Sequence, residues 1–398
     1  MSPYLTKFII TVILDLLETV AVFRTVLFSG RNMAKIKGKY WFFITLVLFA
    51  AYFLVAARPV TDETILMPRW ISTFEAEAPV HLGDFQAIGA NAASREPLPF
   101  RAGSRYGFFS EHGSFLINEI AQGYISISEN FWAQYIADPP YIHIMDAHGE
   151  VVLTIEDPQG YPVFLDNRIF IVGVEQNSIT AIALDGRRLW QHDFRAPLTG
   201  IDAAAGRVLA GTLDGAIELL DQDGRPVIAP FEPGGSRLQA IFGTAISSCA
   251  TRLAVISGID QQRFLLLEQA GDIFMVVHHE FLGSGFRRPV HISFADNDRR
   301  VVFEREGGIG IFDVAARTTV HLPLRGEIKV LDTCGEAPYL FVVTAMGENE
   351  KRLVTIRYPG VVIGDASFQS EFAFFARRGT RLFLGGDSTV AAFEIGRR

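Results

Sequence analysis

The residues able to do chemistry are few and poorly spaced for it. His278 and His279 come nearest to a metal pair. Adjacent strand residues point to opposite faces, so the two imidazoles cannot reach one ion without a bulge. Asp296, Asn297 and Asp298 suit a calcium loop or, as the plainer reading, a turn in which Asx side chains bond the backbone. Gly283-Ser284-Gly285 lacks the spacing of a nucleophile elbow and reads as a flexible loop. There is no H-E-x-x-H, no P-loop and no G-x-G-x-x-G after a strand. Cys249 and Cys334, the only cysteines, are far apart and read as free, buried thiols. These residues predict no enzyme, no cofactor, no metal and no small-molecule substrate. Loops then carry the expected function. Phe286 stands beside Arg287 and Arg288, and Arg195, Phe231 and Arg237 occupy matching places elsewhere. Aromatic plus Arg is the composition of protein interface hot spots.

The elements that would hold those loops recur. An apolar strand, a short Asp/Gly turn and a second strand appear at residues 106–117, 141–155, 179–194, 216–231, 263–277, 309–322 and 353–368. Gly113, Gly149, Gly186, Gly224, Gly271, Ala316 and Gly360 mark the turns, and two further strands fit between successive hairpins. Four strands per unit of this length is the pattern of a β-propeller blade. Continuous runs such as RIFIVGV and YLFVVTA fit inner strands buried on both faces. The expected fold is all-β, a seven-bladed propeller over residues 105–398, with six or eight blades also open. The last unit, 371–395, has three strands, and residues 114–120 are the expected source of its fourth.

Composition places the rest. The chain has 398 residues, 49% hydrophobic and 20% charged, which excludes disorder and a coiled coil. Residues 1–40 carry a net charge of +4 within a total of −8, leaving −12 for residues 41–398. An acidic body argues against nucleic acid.

Residues 40–57 are uncharged and long enough to span most of a bilayer. Tyr40, Trp41, Phe42, Phe43, Leu46, Phe49, Tyr52 and Phe53 supply its aromatic and apolar surface. Arg31, Lys35, Lys37 and Lys39 precede it, so the positive-inside rule puts residues 1–39 in the cytoplasm and the body in the periplasm. Val55-Ala56-Ala57 also matches a signal-peptidase site, with Met33 an alternative start. Residues 5–28 read as an amphipathic helix or as a second span bearing Asp15, Glu18 and Arg24. Residues 58–104, rich in proline, read as an extended linker with a short helix at 70–77. Trp70 and Phe74 are expected to dock on the body.

Residues 168–194 resemble the repeat of pyrroloquinoline-quinone-type and WD40-like β-propellers. Ala183, Leu184, Asp185, Gly186, Leu189 and Trp190 match that repeat, and residues 206–227 match it more loosely. Quinone-dependent members of the family carry a tryptophan in each blade, whereas this body has only Trp132 and Trp190 after residue 105. The resemblance is therefore to non-catalytic periplasmic scaffolds of the outer-membrane assembly type. It implies a protein partner in the envelope, in a biogenesis, motor or secretion complex. The competing readings are a quinoprotein-like oxidoreductase or hydrolase working in the channel, and a ligand- or glycan-binding sensor or adhesin.

Overall fold

The structure is a computed structural model describing residues 64–76, 78–82, 97–234, 236–333 and 338–397. All regular elements among them are β-strands, assembled into eight antiparallel sheets. Blades 2 to 7 are four-stranded meanders over residues 124–156, 160–193, 198–231, 241–281, 292–323 and 327–369. Blade 1 comprises Leu98–Ala102, Arg105–Phe109 and Phe115–Ile120. Blade 8 comprises Phe374–Arg378, Arg381–Gly385 and Thr389–Arg397, completed by Thr64–Thr73 from the other end of the chain. The short strand Val80–His81 lies at its outer edge.

The count is eight, not seven. The seven turn residues seen in the sequence each mark the last hairpin of blades 1 to 7. Residues 114–120 belong to blade 1 and do not complete the last blade. Thr64–Thr73 does so instead, and the propeller starts inside the segment read as a linker. Proline explains the difference. Pro68 has no N–H to give to the ladder, and the register with Thr389–Arg397 shifts between Pro68 and Trp70. A strand with a bulge at its proline reads as irregular in sequence. The expected helix at 70–77 is absent: the strand runs through Thr73 and a turn follows. Trp70 and Phe74 do dock on the body, both buried in a cluster with Phe100, Phe109, Phe374 and Phe383. Residues 40–57, with Tyr40, Trp41, Phe42, Phe43, Leu46, Phe49, Tyr52 and Phe53, and residues 5–28 lie outside the described residues. Among the described residues no helix is long and apolar enough to cross a membrane.

First strands of blades 2 to 6 touch in succession, as do those of blades 7 and 8, so the first strand is innermost. The second strands are buried along their length, as in Arg168–Gly173 and Tyr339–Ala345. Burial on both faces accounts for their unbroken apolar sequence. Gly211 lets blades 4 and 5 close up, since a Cβ there would collide with Ile241.

One contact recurs around the ring. A side chain on the last strand of one blade covers the turn glycine of the next. Trp190 covers Gly224, and its indole N–H donates to the Gln222 carbonyl at 2.7 Å. Ile117 lies over Gly149, and Val320 over Gly360. Trp70 covers Gly113 and donates to the Glu111 carbonyl at 2.9 Å. This last pair shows that the hairpin around Gly113 joins the third and fourth strands of blade 1. Leu98–Ala102 is therefore its second strand. In agreement, the Gly103 turn lies against Phe372 in the connection from blade 7 to blade 8.

Candidate functional site

An antiparallel meander fixes which loops share a face. The connections between blades and each blade's middle hairpin lie on one face, and the first and last hairpins lie on the other. Arg195, Phe231 and Arg237, and the trio Phe286, Arg287 and Arg288, all belong to or border connections between blades. They therefore share the first face, over blades 3 to 6. Arg195, Arg237 and Arg287 are exposed, and no salt bridge engages them among the described residues. Phe231 ends the last strand of blade 4 and is 39% exposed.

These loops are held from below. Gln262 and Arg263, adjacent and buried, each reach one flanking connection. The Gln262 amide donates to the Phe286 carbonyl at 2.5 Å and accepts the Phe286 N–H at 3.2 Å. The Arg263 guanidinium donates to the carbonyls of Pro233 and Gly234. Ser236 hydrogen-bonds Asp260 and holds its carboxyl below the usual range. Ser284 accepts the Glu306 N–H at 2.9 Å, so the segment expected to be flexible is tied down.

The trio divides by role. Arg288 forms two hydrogen bonds to Glu304, at 2.6 and 3.1 Å, and lies over the Phe286 ring at 4.7 Å. Glu304 is buried, with a side chain 3% exposed. Phe286 is half-buried against the core between blades 5 and 6. Arg287 alone projects freely. Sequence reading missed Gln262, Arg263 and Glu304. Their signal was a polar residue at the head or tail of an apolar strand, as in QRFLLL and VVFER.

The other candidates fall elsewhere. His278 packs on Phe312, with ring centroids 4.4 Å apart, whereas His279 is exposed beside Phe281. Burial lowers the pKa of His278. Asp296 binds Arg299 at 2.5 Å and Arg300 at 3.2 Å, and Asp298 accepts the Ser248 N–H at 2.8 Å. Those carboxylates latch hairpins on the opposite face. Asp202 acts similarly, accepting the Ile246 N–H of the next blade at 3.0 Å. Cys249 is exposed on that same face rather than buried, and Cys334 lies outside the described residues.

On the first face, over blades 7, 8 and 1, lies a cleft of about 1190 Å³. Met346, Phe372, Glu348 and Glu371 contribute to its lining. Asp387 fixes one wall, its two oxygens accepting the N–H groups of Glu371 at 2.7 Å and Phe372 at 2.8 Å. Lys351, buried beneath the other wall, donates to the Glu348 carbonyl at 2.5 Å.

A family model described as "beta-propeller protein" matches residues 33–397. The chain belongs to this β-propeller family. This β-propeller is 28% identical over 366 residues to a protein of Treponema pallidum (strain Nichols) described as uncharacterized. That alignment covers 91% of this chain and 96% of the relative. It is also similar in structure to BamB from Moraxella catarrhalis, with a TM-score of 0.54 and 17% identity. That match covers 83% of this chain and 98% of the BamB chain, and at this identity it speaks for the fold alone.

Proposed function

We propose that this β-propeller is a non-enzymatic scaffold, anchored in the inner membrane through residues 40–57, that binds a protein partner in the periplasm. One observation carries the reading. Arg195, Arg237 and Arg287 stand exposed and without salt bridges on connections of one face, two of which are stapled by Gln262 and Arg263. Fixed loops lose little entropy on docking, so their exposed side chains contribute more of their contact energy to affinity. Arginines on an acidic body suit an acidic surface on the partner. The likeness to BamB supports the propeller fold, and a place in an envelope assembly is part of the proposal.

Affinity purification from detergent-solubilised membranes tests the reading. Wild type retains a stoichiometric protein partner. The variant Arg195→Glu, Arg237→Glu, Arg287→Glu loses it while keeping the wild-type melting temperature. Equal recovery with both chains overturns the assignment of the face. Degradation of the body by protease added outside spheroplasts supports the topology, and its protection overturns it.

A further inference from the structure

We infer that the cleft over blades 7, 8 and 1 receives an extended peptide segment of a partner protein, carrying lysine or arginine next to an apolar anchor side chain. It shares with the scaffold reading only that the occupant is protein, and it uses none of the loops over blades 3 to 6.

Exposed apolar side chains stand on both walls of the cleft. Met346 is 40% exposed and Phe372 is 43% exposed, with Ala345 and Ala373 beside them. Buried aromatic and Met side chains are what anchors pack against at interface centres.

The charge is decided by which groups are already engaged. Three cations line the cleft. Lys351 is buried and directs its ammonium to the Gly347 and Glu348 carbonyls. Lys329 pairs with Glu327 at 2.7 Å. Arg101 donates to the Ile125 carbonyl of blade 2 at 3.1 Å. Glu348 and Glu371 are both exposed, and neither carboxylate has a hydrogen-bond or ion-pair partner among the described residues. The lining holds three cations and three carboxylates, but among the described residues only Glu348 and Glu371 are left without a partner beside Met346 and Phe372. Complementarity calls for a cation flanking the anchor.

Both walls are prebuilt. Asp387 holds the backbone of Glu371 and Phe372, and Ser370 donates to the Phe372 carbonyl at 2.7 Å. Lys351 ties the hairpin bearing Met346 and Glu348. A volume of about 1190 Å³ exceeds a usual small-molecule pocket and holds several residues of extended chain.

The test uses the full-length chain in nanodiscs of neutral lipid at physiological salt. Three fluorescein-labelled peptides are titrated by anisotropy: Gly-Lys-Phe-Lys-Leu-Lys-Gly, its Lys-to-Glu counterpart, and a version with Ser replacing Phe and Leu. The Lys/Phe peptide is expected to bind at least about tenfold more tightly than the other two, one order of magnitude being about 1.4 kcal/mol. Glu348→Lys with Glu371→Lys abolishes that preference and admits the Glu peptide. Glu348→Gln with Glu371→Gln, the milder pair, weakens binding of the Lys/Phe peptide. Arg195→Glu, Arg237→Glu, Arg287→Glu leaves it unchanged, which separates this site from the loops over blades 3 to 6. Equal binding of the Lys/Phe and Ser peptides overturns the inference. So does unchanged Lys/Phe binding in both carboxylate variants.

Discussion

Trp70 donates its indole N–H to the Glu111 carbonyl at 2.9 Å and covers Gly113, both residues of blade 1. That contact joins the strand that completes blade 8 to blade 1. The Glu111 side chain binds Arg381 at 2.6 Å, so the junction is sealed twice.

Trp70→Ala should destabilise the body by about 3–5 kcal/mol, the usual cost of deleting a buried aromatic. Trp70→Phe keeps most of the packing and should cost less, losing chiefly a hydrogen bond of about 1 kcal/mol. Denaturant midpoints of the two variants give the ranking. A chain starting at residue 105 lacks the closing strand and should fail to give a cooperative melt.

Arg287 and Arg288 should behave oppositely although they are neighbours. Arg288→Ala strands the buried Glu304 carboxylate. Full loss of one partner costs about 3–5 kcal/mol for a buried pair, and partial exposure of Arg288 brings the expectation to about 2 kcal/mol. Arg287→Ala should stay within about 0.5 kcal/mol of wild type, as exposed substitutions do. Partner recovery should fall for Arg287→Glu. Thermal melts combined with pull-downs would show the split, and equal destabilisation would refute it.

Gly211→Val places a branched side chain where even a Cβ collides with Ile241. Overpacking of this kind costs about 1–3 kcal/mol. The companion change Ile241→Ala should recover part of that loss. A double-mutant cycle on urea midpoints measures the coupling, and simple additivity would mean the two blades are not in close contact there.

Asp202 should make stability depend on pH. Burial raises its carboxyl above the ordinary aspartate range, outweighing the N–H groups of Ile246 and Ala203 that favour the charged form. Its contribution is thus full below the unfolded pKa, near 4, and is lost as pH rises through the folded value. Asp202→Asn cannot ionise. Its stability relative to wild type should therefore improve as pH is raised from 4 toward 7. Parallel pH profiles for the two proteins would contradict the assignment.

Much of the architecture is legible in the sequence. Gly113, Gly149, Gly186, Gly224 and Gly271 sit at turns with positive φ, a local need for glycine, and local needs show in sequence. Trp190 carried the family repeat, although its contacts reach Gln222 and Gly224 of the next blade. The closing strand did not show, because Pro68 hides its period and its partner lies at the far end of the chain. The site was legible only as loop composition. Nothing near Arg288 tells that Glu304 will claim it, and nothing near Met346 tells that Lys351 will brace its hairpin. Such roles depend on which strands become neighbours, a property of the completed ring.

The pairing of Thr64–Thr73 with Thr389–Arg397 sets an order of events during biosynthesis. The ribosome releases the first strand of the propeller long before its mate exists; Arg69 and its ion-pair partner Glu394 are 325 positions apart. Blades 2 to 7 can each form as they emerge, because their strands are consecutive. The first strand must wait, without that mate, through the synthesis of every other blade. Any factor that shields an edge strand would find its client there, and a stop codon upstream of residue 389 would leave a nearly complete ring with an open seam.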